Sequence, residues 1–394
     1  MTPAARVQAA IELLDDIIAA ASGGGAAADT LIGRYFAARR YAGSKDRRAV
    51  RELVYRAIRH SGEAPPSGRA VMVALADADP GLASSFDGSA HGPEPIIANE
   101  PRAVAGVVPA WLEKAMVRSG LSADAMAALV GRAPLDLRVN RLKAEREPLL
   151  REIEGAAAVP GLPNAMRLAT GTAVEQLPMM VDGLAEIQDA GSQAVTLAVP
   201  AEPGAVIVDL CAGAGGKTLA LAAAMEDWGR LIACDTDRAR LSRLAPRAEG
   251  AGVSIAEIRL LDPNRETDRL TDLAGAADAV LVDAPCSGTG TWRRNPEARW
   301  RLNPARLERL VQTQRRLLDL AAMLVRPGGV LVHVVCSLLD EEGSDQVETF
   351  LAAHAGWAVE VPVLPLGRPH GHGVRMDPLN DDTDGFFVAR LRAP

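Results

Sequence analysis

The residues of this 394-residue chain with the most chemistry to offer are four cysteines, Cys211, Cys234, Cys286 and Cys336, spaced 23, 52 and 50 residues apart. Zinc sites normally include a short C-x₂₋₄-C pair, which this spacing lacks. Nor do four such distant thiols make a disulfide framework. Cys211 and Cys234 end apolar runs, where a cysteine is most often a small buried hydrophobe. Cys286 and Cys336 are placed differently. Asp283-Ala284-Pro285-Cys286-Ser287-Gly288-Thr289-Gly290 leaves one strand-like run, and Val334-Val335-Cys336-Ser337 leaves the next. If those runs lie in one sheet, both thiols can face one cleft. A thiolate that adds to carbon 6 of a cytosine makes carbon 5 an enamine carbon, able to attack a methyl donor. Methylation of an exocyclic nitrogen or a ribose oxygen needs no such thiol. Spacing leaves open which of the two attacks.

A second constellation lies upstream. Asp209-Leu210-Cys211-Ala212-Gly213-Ala214-Gly215-Gly216-Lys217-Thr218 ends a strand-like run and turns helical. Glycine allows a tight turn and close backbone approach to a ligand, and the helix N-terminus offers free N–H groups. A P-loop would need glycine at 211, which is Cys; a dinucleotide fingerprint starting at Gly213 would need glycine at 218, which is Thr. Asp235 follows about 20 residues on, where a carboxylate can accept both hydroxyls of a ribose. Asp262 closes a further strand-like run, IRLLD (258–262), and Asp283 ends the one after it, AVLVD (279–283). Each acid alone reads as a turn or cap residue, but together the four suit a neutral-to-cationic adenosine ligand.

The elements that must position these groups follow from periodicity. From Gly191 onward, AVIVDL (205–210), RLIAC (230–234), AVLVD (279–283) and VLVHVV (330–335) alternate with helical stretches. That alternation implies an α/β fold, a doubly wound and mostly parallel sheet whose ligands bind beyond the carboxyl ends of the strands. Residues 131–185 open with LDLRVNRL (135–142), which alternates like a strand, and read as a small α/β module. Residues 1–130 read as all-helical. Apolar stripes run through 4–22 and 46–60, a short helix spans 71–78, and the Gly/Ser/Pro-rich stretch 83–101 is a linker or long loop. Residues 186–394 complete the expected three domains.

Bulk properties narrow the setting. With 48% hydrophobic residues the chain can bury a large core. No apolar run reaches the roughly 18 residues of a membrane helix. The N-terminus lacks the layout of a signal peptide. A reduced, cytoplasmic, monomeric protein without membrane or metal partners is expected. Net charge is −7, but local distribution decides nucleic-acid binding. Of 43 basic residues only Lys45, Lys114, Lys143 and Lys217 are lysines, so a single arginine means little and a lysine more.

At these residues the sequence resembles the RsmB-type (Sun/Fmu) family of RNA cytosine-C5 methyltransferases. The matching stretches are DLCAGAGGKT (209–218), CDTDRARLSRL (234–244), VDAPCSGTG (282–290), RRNPEARW (293–300), RPGGVLVHVVCSLLDEE (326–342) and DGFFVARL (384–391). LDLRVNR (135–141) and IQDAGSQAV (187–195) resemble the family's RNA-binding cap and the entry to its catalytic domain. KDRRAVRELVYRAIR (45–59) is similar to the NusB-like helical domain of the bacterial ribosomal-RNA branch. The resemblance implies a Rossmann-like class I methyltransferase domain using S-adenosylmethionine. It makes Cys336 the nucleophile and Cys286 the thiol that assists release of the adduct. Cys211, Ala212, Gly213, Ala214, Gly215, Gly216 and Lys217 would hold the methionine and adenosine parts of the cofactor and Asp235 its ribose. Asp262 would lie by the adenine, and Asp283 between cofactor and target base. The implied substrate is RNA, most directly 16S ribosomal RNA. Three positions depart from the family pattern: Gly213-Ala214 for Ala-Pro in the loop, Val335 for Thr, and Gly343 for Asn.

Two basic segments bear on the RNA. Between Arg34 and Arg59 nine basic residues face only Asp46 and Glu52, a patch suited to phosphates. Trp292-Arg293-Arg294-Asn295-Pro296 to Trp300-Arg301 interleaves aromatics with arginines, which fits either base stacking or core packing. His370 and His372, without a third ligand, do not make a metal site. Other readings are a transfer-RNA methyltransferase, a catalytically silent RNA-binding assembly factor, and a small-molecule methyltransferase. The last explains neither the cap segments nor the basic N-terminal domain. A DNA cytosine methyltransferase should show an acidic E-N-V-type motif soon after the Pro-Cys loop, and none follows.

Overall fold

The structure, a computed structural model, describes residues 1–169 and 171–394. Two compact units emerge: Met1–Arg132 with Thr291–Pro304, and Ala133–Gly290 with Ala305–Pro394.

The first unit is all-helical. Helix α1 (Pro3–Gly23) begins where the Thr2 hydroxyl accepts from the Ala5 N–H and Pro3 presets the first turn, and it stops at Gly24, left-handed at φ 72°. This is the usual division of labour between the two ends of a helix. Its stripe of Val7, Ala10, Ile11, Leu14 and Ile17 is buried against α3 (Ser44–His60), which contributes Val50, Val54, Ala57 and Ile58. Between them lies α2 (Ala28–Ala37), and α4 (Gly68–Ala76) completes this core. Residues 84–109 hold no regular element.

Residues 291–304 correct the expected boundary, because they belong to this helical unit rather than to an unbroken domain 186–394. The sequence enters the second unit's sheet pattern on either side of them, but their side chains are core-forming. Trp300 packs into the helical core, and Trp292 and Arg299 are wholly buried.

The second unit carries two sheets. The smaller has strands β1 (Leu135–Val139), β2 (Ala157–Ala158), β3 (Ala165–Leu168) and β4 (Ala185–Ile187) in the order β2-β3-β1-β4, all antiparallel. Lys143, one of the four lysines, has a structural use here: its ammonium donates to the carbonyls of Gly250 (2.6 Å) and Asp182 (3.1 Å).

The larger sheet contains β5 (Val206–Asp209), β6 (Arg230–Asp235), β7 (Ala256–Leu260), β8 (Ala277–Asp283), β9 (Val325–Val335), β10 (Ala358–Val359), β11 (Arg368–His370), β12 (Gly373–Met376) and β13 (Phe386–Arg392). Its order is β11-β12-β13-β9-β8-β5-β6-β7, with β10 on β13. From β7 to β9 the neighbours are parallel, and β13 is antiparallel to β9. Adjacent residues feed opposite faces, as the pleat demands. Val208, Ile232, Val280 and Val282 pack on one side with Leu317, Leu318 and Ala321 of the long helix Pro304–Leu324. Ile207, Leu231, Ala279 and Leu281 pack on the other with Ala194, Leu221 and Ala222. Burial on both faces is why these strands read as continuous apolar runs. The strand order reverses between β5 and β8, with β6 and β7 added on one side of β5 and β8 and β9 on the other; such a switch point is where doubly wound sheets bind ligands. Among the described residues no helix is long and apolar enough to cross a membrane.

Candidate active site

The two sulfurs meet. Cys286 lies just beyond β8 and Cys336 just beyond its parallel neighbour β9, and their Sγ atoms are 3.3 Å apart. The strands deliver the cysteines side by side because Asp283 pairs in register with Val334 and the Ala284 N–H donates to the Val334 carbonyl at 2.9 Å. Both thiols are half-buried. The hydrogen bond to Cys336 and burial hold Cys286 well above the usual thiol range, so it keeps its proton.

The glycine loop sits at the end of β5, the next strand across. Gly213 (φ 57°) and Gly215 (φ 89°) are left-handed, and a side chain at either would strike Arg240 or Leu244. Gly216 opens the following helix, Gly216–Ala224, and a β-carbon there would meet nothing within 4 Å. This is the open face of a helix N-terminus. The Ala214 carbonyl is tied down by Arg247, which also binds Glu186 at 2.9 Å, so the loop is braced without the proline. Asp235 is fixed by two backbone donors, Gly213 N–H and Asp237 N–H, at 2.7 Å each. A carboxylate accepts about four bonds, so each of its oxygens keeps capacity for a ligand hydroxyl. Asp262 is exposed just beyond β7, on an open cavity of about 560 Å³ shared with Arg238, Ile258 and Leu260.

Lys217 reaches from the loop to Asp283, Nζ to Oδ2 2.7 Å, and its ammonium also feels the Cys336 sulfur. Burial works against its charge, but Asp283 and the neighbouring groups outweigh it and raise its pKa. Asp209 is wholly buried under the loop and accepts from the Thr218 hydroxyl at 2.7 Å. Burial pushes its carboxyl up to about 7. Cys211 and Cys234 pack against the apolar core, where burial drives the first well up and the second to about 12. They are not poised to react.

Sequence reasoning missed the groups that hold the thiols. Glu342 is fully buried and receives the Ser287 N–H (2.8 Å), the Ser287 hydroxyl and the Gln314 amide (3.1 Å). Only its place six residues after Cys336 hinted at it. Of the departures, Val335 faces the apolar core, and at Gly343 a β-carbon would lie 2.9 Å from the Phe387 ring. His370 Nε2 lies 2.6 Å from Asp340. Among the described residues no group of three or more His, Cys, Asp or Glu could hold a metal.

Residues 195–392 match the family described as 16S rRNA methyltransferase RsmB/F. The chain belongs to this family. It is 35% identical over 268 residues to the probable ribosomal RNA small subunit methyltransferase B of Synechocystis sp., covering 66% of this chain and 60% of the relative. It is 36% identical over 264 residues to the ribosomal RNA small subunit methyltransferase B of Pectobacterium carotovorum, with the same coverage. The match thus spans 60% of the length of these curated relatives. In fold it is similar to the crystal structure of NSun6 from Pyrococcus horikoshii with SFG, at TM-score 0.63 and 20% identity, over 72% of this chain and 98% of that one. Within this RsmB/F chain, the family match takes in the glycine loop and both thiols.

Proposed function

We propose that this protein methylates carbon 5 of a cytosine in RNA, most directly 16S ribosomal RNA, with Cys336 as nucleophile. One observation carries the reading: two thiols 3.3 Å apart at the ends of adjacent parallel strands, beside a glycine-built nucleotide loop. Three features fit S-adenosylmethionine: the left-handed glycines, the open helix N-terminus at Gly216, and the spare acceptor capacity of Asp235. Cys211–Lys217 would hold its methionine and adenosine parts, Asp235 its ribose and Asp262 its adenine, with Asp283 toward the base. That cofactor supplies an electrophilic methyl group.

The two sulfurs touch beside the Lys217–Asp283 pair, and the family resemblance is what makes Cys336 the attacking sulfur and Cys286 its helper. The Cys336 thiolate forms a bond to carbon 6 and pushes the 5,6-π pair onto carbon 5. After carbon 5 gains its methyl a base takes up its proton, and the C–H pair left behind expels Cys336 as the carbon 6–sulfur bond breaks. The Cys286 S–H stabilises the departing thiolate, which is how it assists release.

We further propose that the helical unit, NusB-like by resemblance, and the four-stranded cap bind the RNA. The enzyme would act as a cytoplasmic monomer, without metal. The relatives named for small-subunit ribosomal RNA support that substrate.

Trapping tests the assignment. With 16S fragments and transfer-RNA transcripts as substrates, Cys336→Ala should give neither product nor adduct, and Cys286→Ala should accumulate a covalent protein–RNA species. The reverse pattern overturns the roles. Methyl transfer by Cys336→Ala overturns the chemistry, and bisulfite mapping to transfer RNA alone overturns the substrate.

A further inference from the structure

Resting on that reading of the thiols, we infer that Glu342 is the positioning residue that holds the Cys286 loop against Cys336, acting through Ser287 and Gln314. Its side chain is removed from solvent, and among the described residues every hydrogen bond it accepts serves the two thiol loops. Ser287, the residue after Cys286, gives it both its backbone N–H and its hydroxyl. Gln314, on the long helix, bridges the Pro285 carbonyl (3.0 Å) and Glu342 Oε1 with one amide group. The residues flanking Cys286 on both sides are thus fastened to one carboxylate. That carboxylate in turn belongs to the turn leaving Cys336, and its backbone carbonyl is held by the buried His333 Nε2 at 3.0 Å.

The carboxylate also sets the direction of a hydroxyl chain. Ser287 Oγ lies 3.1 Å from Ser337 Oγ, which lies 3.1 Å from Thr289 Oγ1, and all three residues are buried. The Ser287 hydroxyl donates to Glu342 Oε2. Ser337 then donates to Ser287, and Thr289 to Ser337. The Leu338 and Leu339 N–H groups supply the acceptor sides of Thr289 and Ser337. Both residues that follow the thiols are locked in one polarity, with no hydroxyl proton left to turn toward the sulfurs. Burial of the three hydroxyls and of both Glu342 oxygens is tolerable because each finds a partner.

The test reads sulfur geometry directly, in the full chain and without RNA. Diamide, a diazene oxidant, accepts two electrons and two protons as it joins two thiols, and the rate of the Cys286–Cys336 disulfide reports how often the sulfurs meet. Wild type should close this disulfide fast. Glu342→Gln, which puts a donor where the Ser287 hydroxyl must donate, should slow closure about tenfold and lower kcat by about ten- to a hundredfold, with KM for RNA unchanged. Ser287→Ala, the milder variant, should slow closure less and leave the thermal midpoint near wild type. Glu342→Asp, which keeps the carboxyl group, should recover part of both rates. Closure at the wild-type rate in both Glu342→Gln and Ser287→Ala overturns the inference, as does a loss of activity carried by KM alone. Because closure needs no substrate, the result stands apart from whether Cys336 proves to be the nucleophile.

Discussion

Two arginine-bearing segments of the helical unit look alike as sequence and end in opposite environments. In the segment from Arg34 to Arg59, the side chains of Arg34, Arg40, Lys45 and Arg48 are exposed and, among the described residues, have no carboxylate partner. Others there are spoken for: Arg39 stacks on Tyr35, Arg51 pairs with Asp29, and Arg56 pairs with Asp79. In the segment from Trp292 to Arg301 the arginines turn inward. Arg299 is wholly buried and donates to the carbonyls of Val107 (2.6 Å), Ile58 and Ser61 (2.8 Å), while Trp300 Nε1 also reaches Ser61 at 3.0 Å. Arg301 reaches Gly25 and Ala26 at 2.7 Å each. Of the two uses open to this segment, core packing is the one observed. Helix ends leave carbonyls without partners, and a guanidinium, with five donors in a fixed fork, satisfies several at once. Interleaved aromatics and arginines are therefore as good a plug for helix ends as a surface for bases.

The largest effect expected from this contrast is at Arg299. Arg299→Met keeps the apolar stem but removes the guanidinium donors to Val107, Ile58 and Ser61, of which Ser61 keeps the Trp300 indole, and this should cost about 3 kcal/mol in urea denaturation. A loss below about 1 kcal/mol would mean that water replaces the guanidinium, and the buried half of the comparison would fall.

A buried acid sharpens the rule. Arginine cannot shed its proton, so carbonyls must be brought to it; Asp209 can take one up. Its Oδ1 meets no donor, and burial lifts its carboxyl from the ordinary 3.8 to about 7. The folded chain thus keeps a proton that the unfolded chain releases above about pH 4. The resulting stability is full below that value and is lost as pH rises toward 7. Asparagine cannot titrate. Between pH 5 and pH 8, Asp209→Asn should therefore gain about 2 kcal/mol relative to wild type. A stability difference independent of pH would show that Asp209 is ionised throughout.

What could be read from the sequence follows the same logic. The parallel sheet was legible because strands buried on both faces become short apolar runs, and the strand-end positions of Cys211, Asp235, Cys286 and Cys336 came with them. The helices α1 and α3 were legible because one apolar stripe served each. The plug at 291–304 was not, since a buried arginine and an exposed one share a letter and the carbonyls that decide between them lie some 190 to 276 residues away. Glu342 was illegible for the same reason: its donors come from Ser287 and Gln314, 55 and 28 residues upstream. Lys143 was singled out as a lysine among arginines, and the structure gives it two carbonyls.

The smallest expected effect on stability tests the exposed half. Replacing Arg34, Arg40, Lys45 and Arg48 together by alanine removes no hydrogen bond among the described residues. The thermal midpoint should barely move, with a change within about 0.5 kcal/mol. Binding of the proposed RNA is where the loss should show. Each phosphate contact releases counterions, so the slope of log affinity against log salt should become shallower by roughly 0.7 for every cation that touched a phosphate. Filter binding of a 16S fragment between low and physiological salt measures it. An unchanged slope would make these four side chains a solvated face, and burial alone would then distinguish the two segments. A shallower slope with an unmoved midpoint would show the chain dividing its arginines between carbonyls inside and phosphates outside.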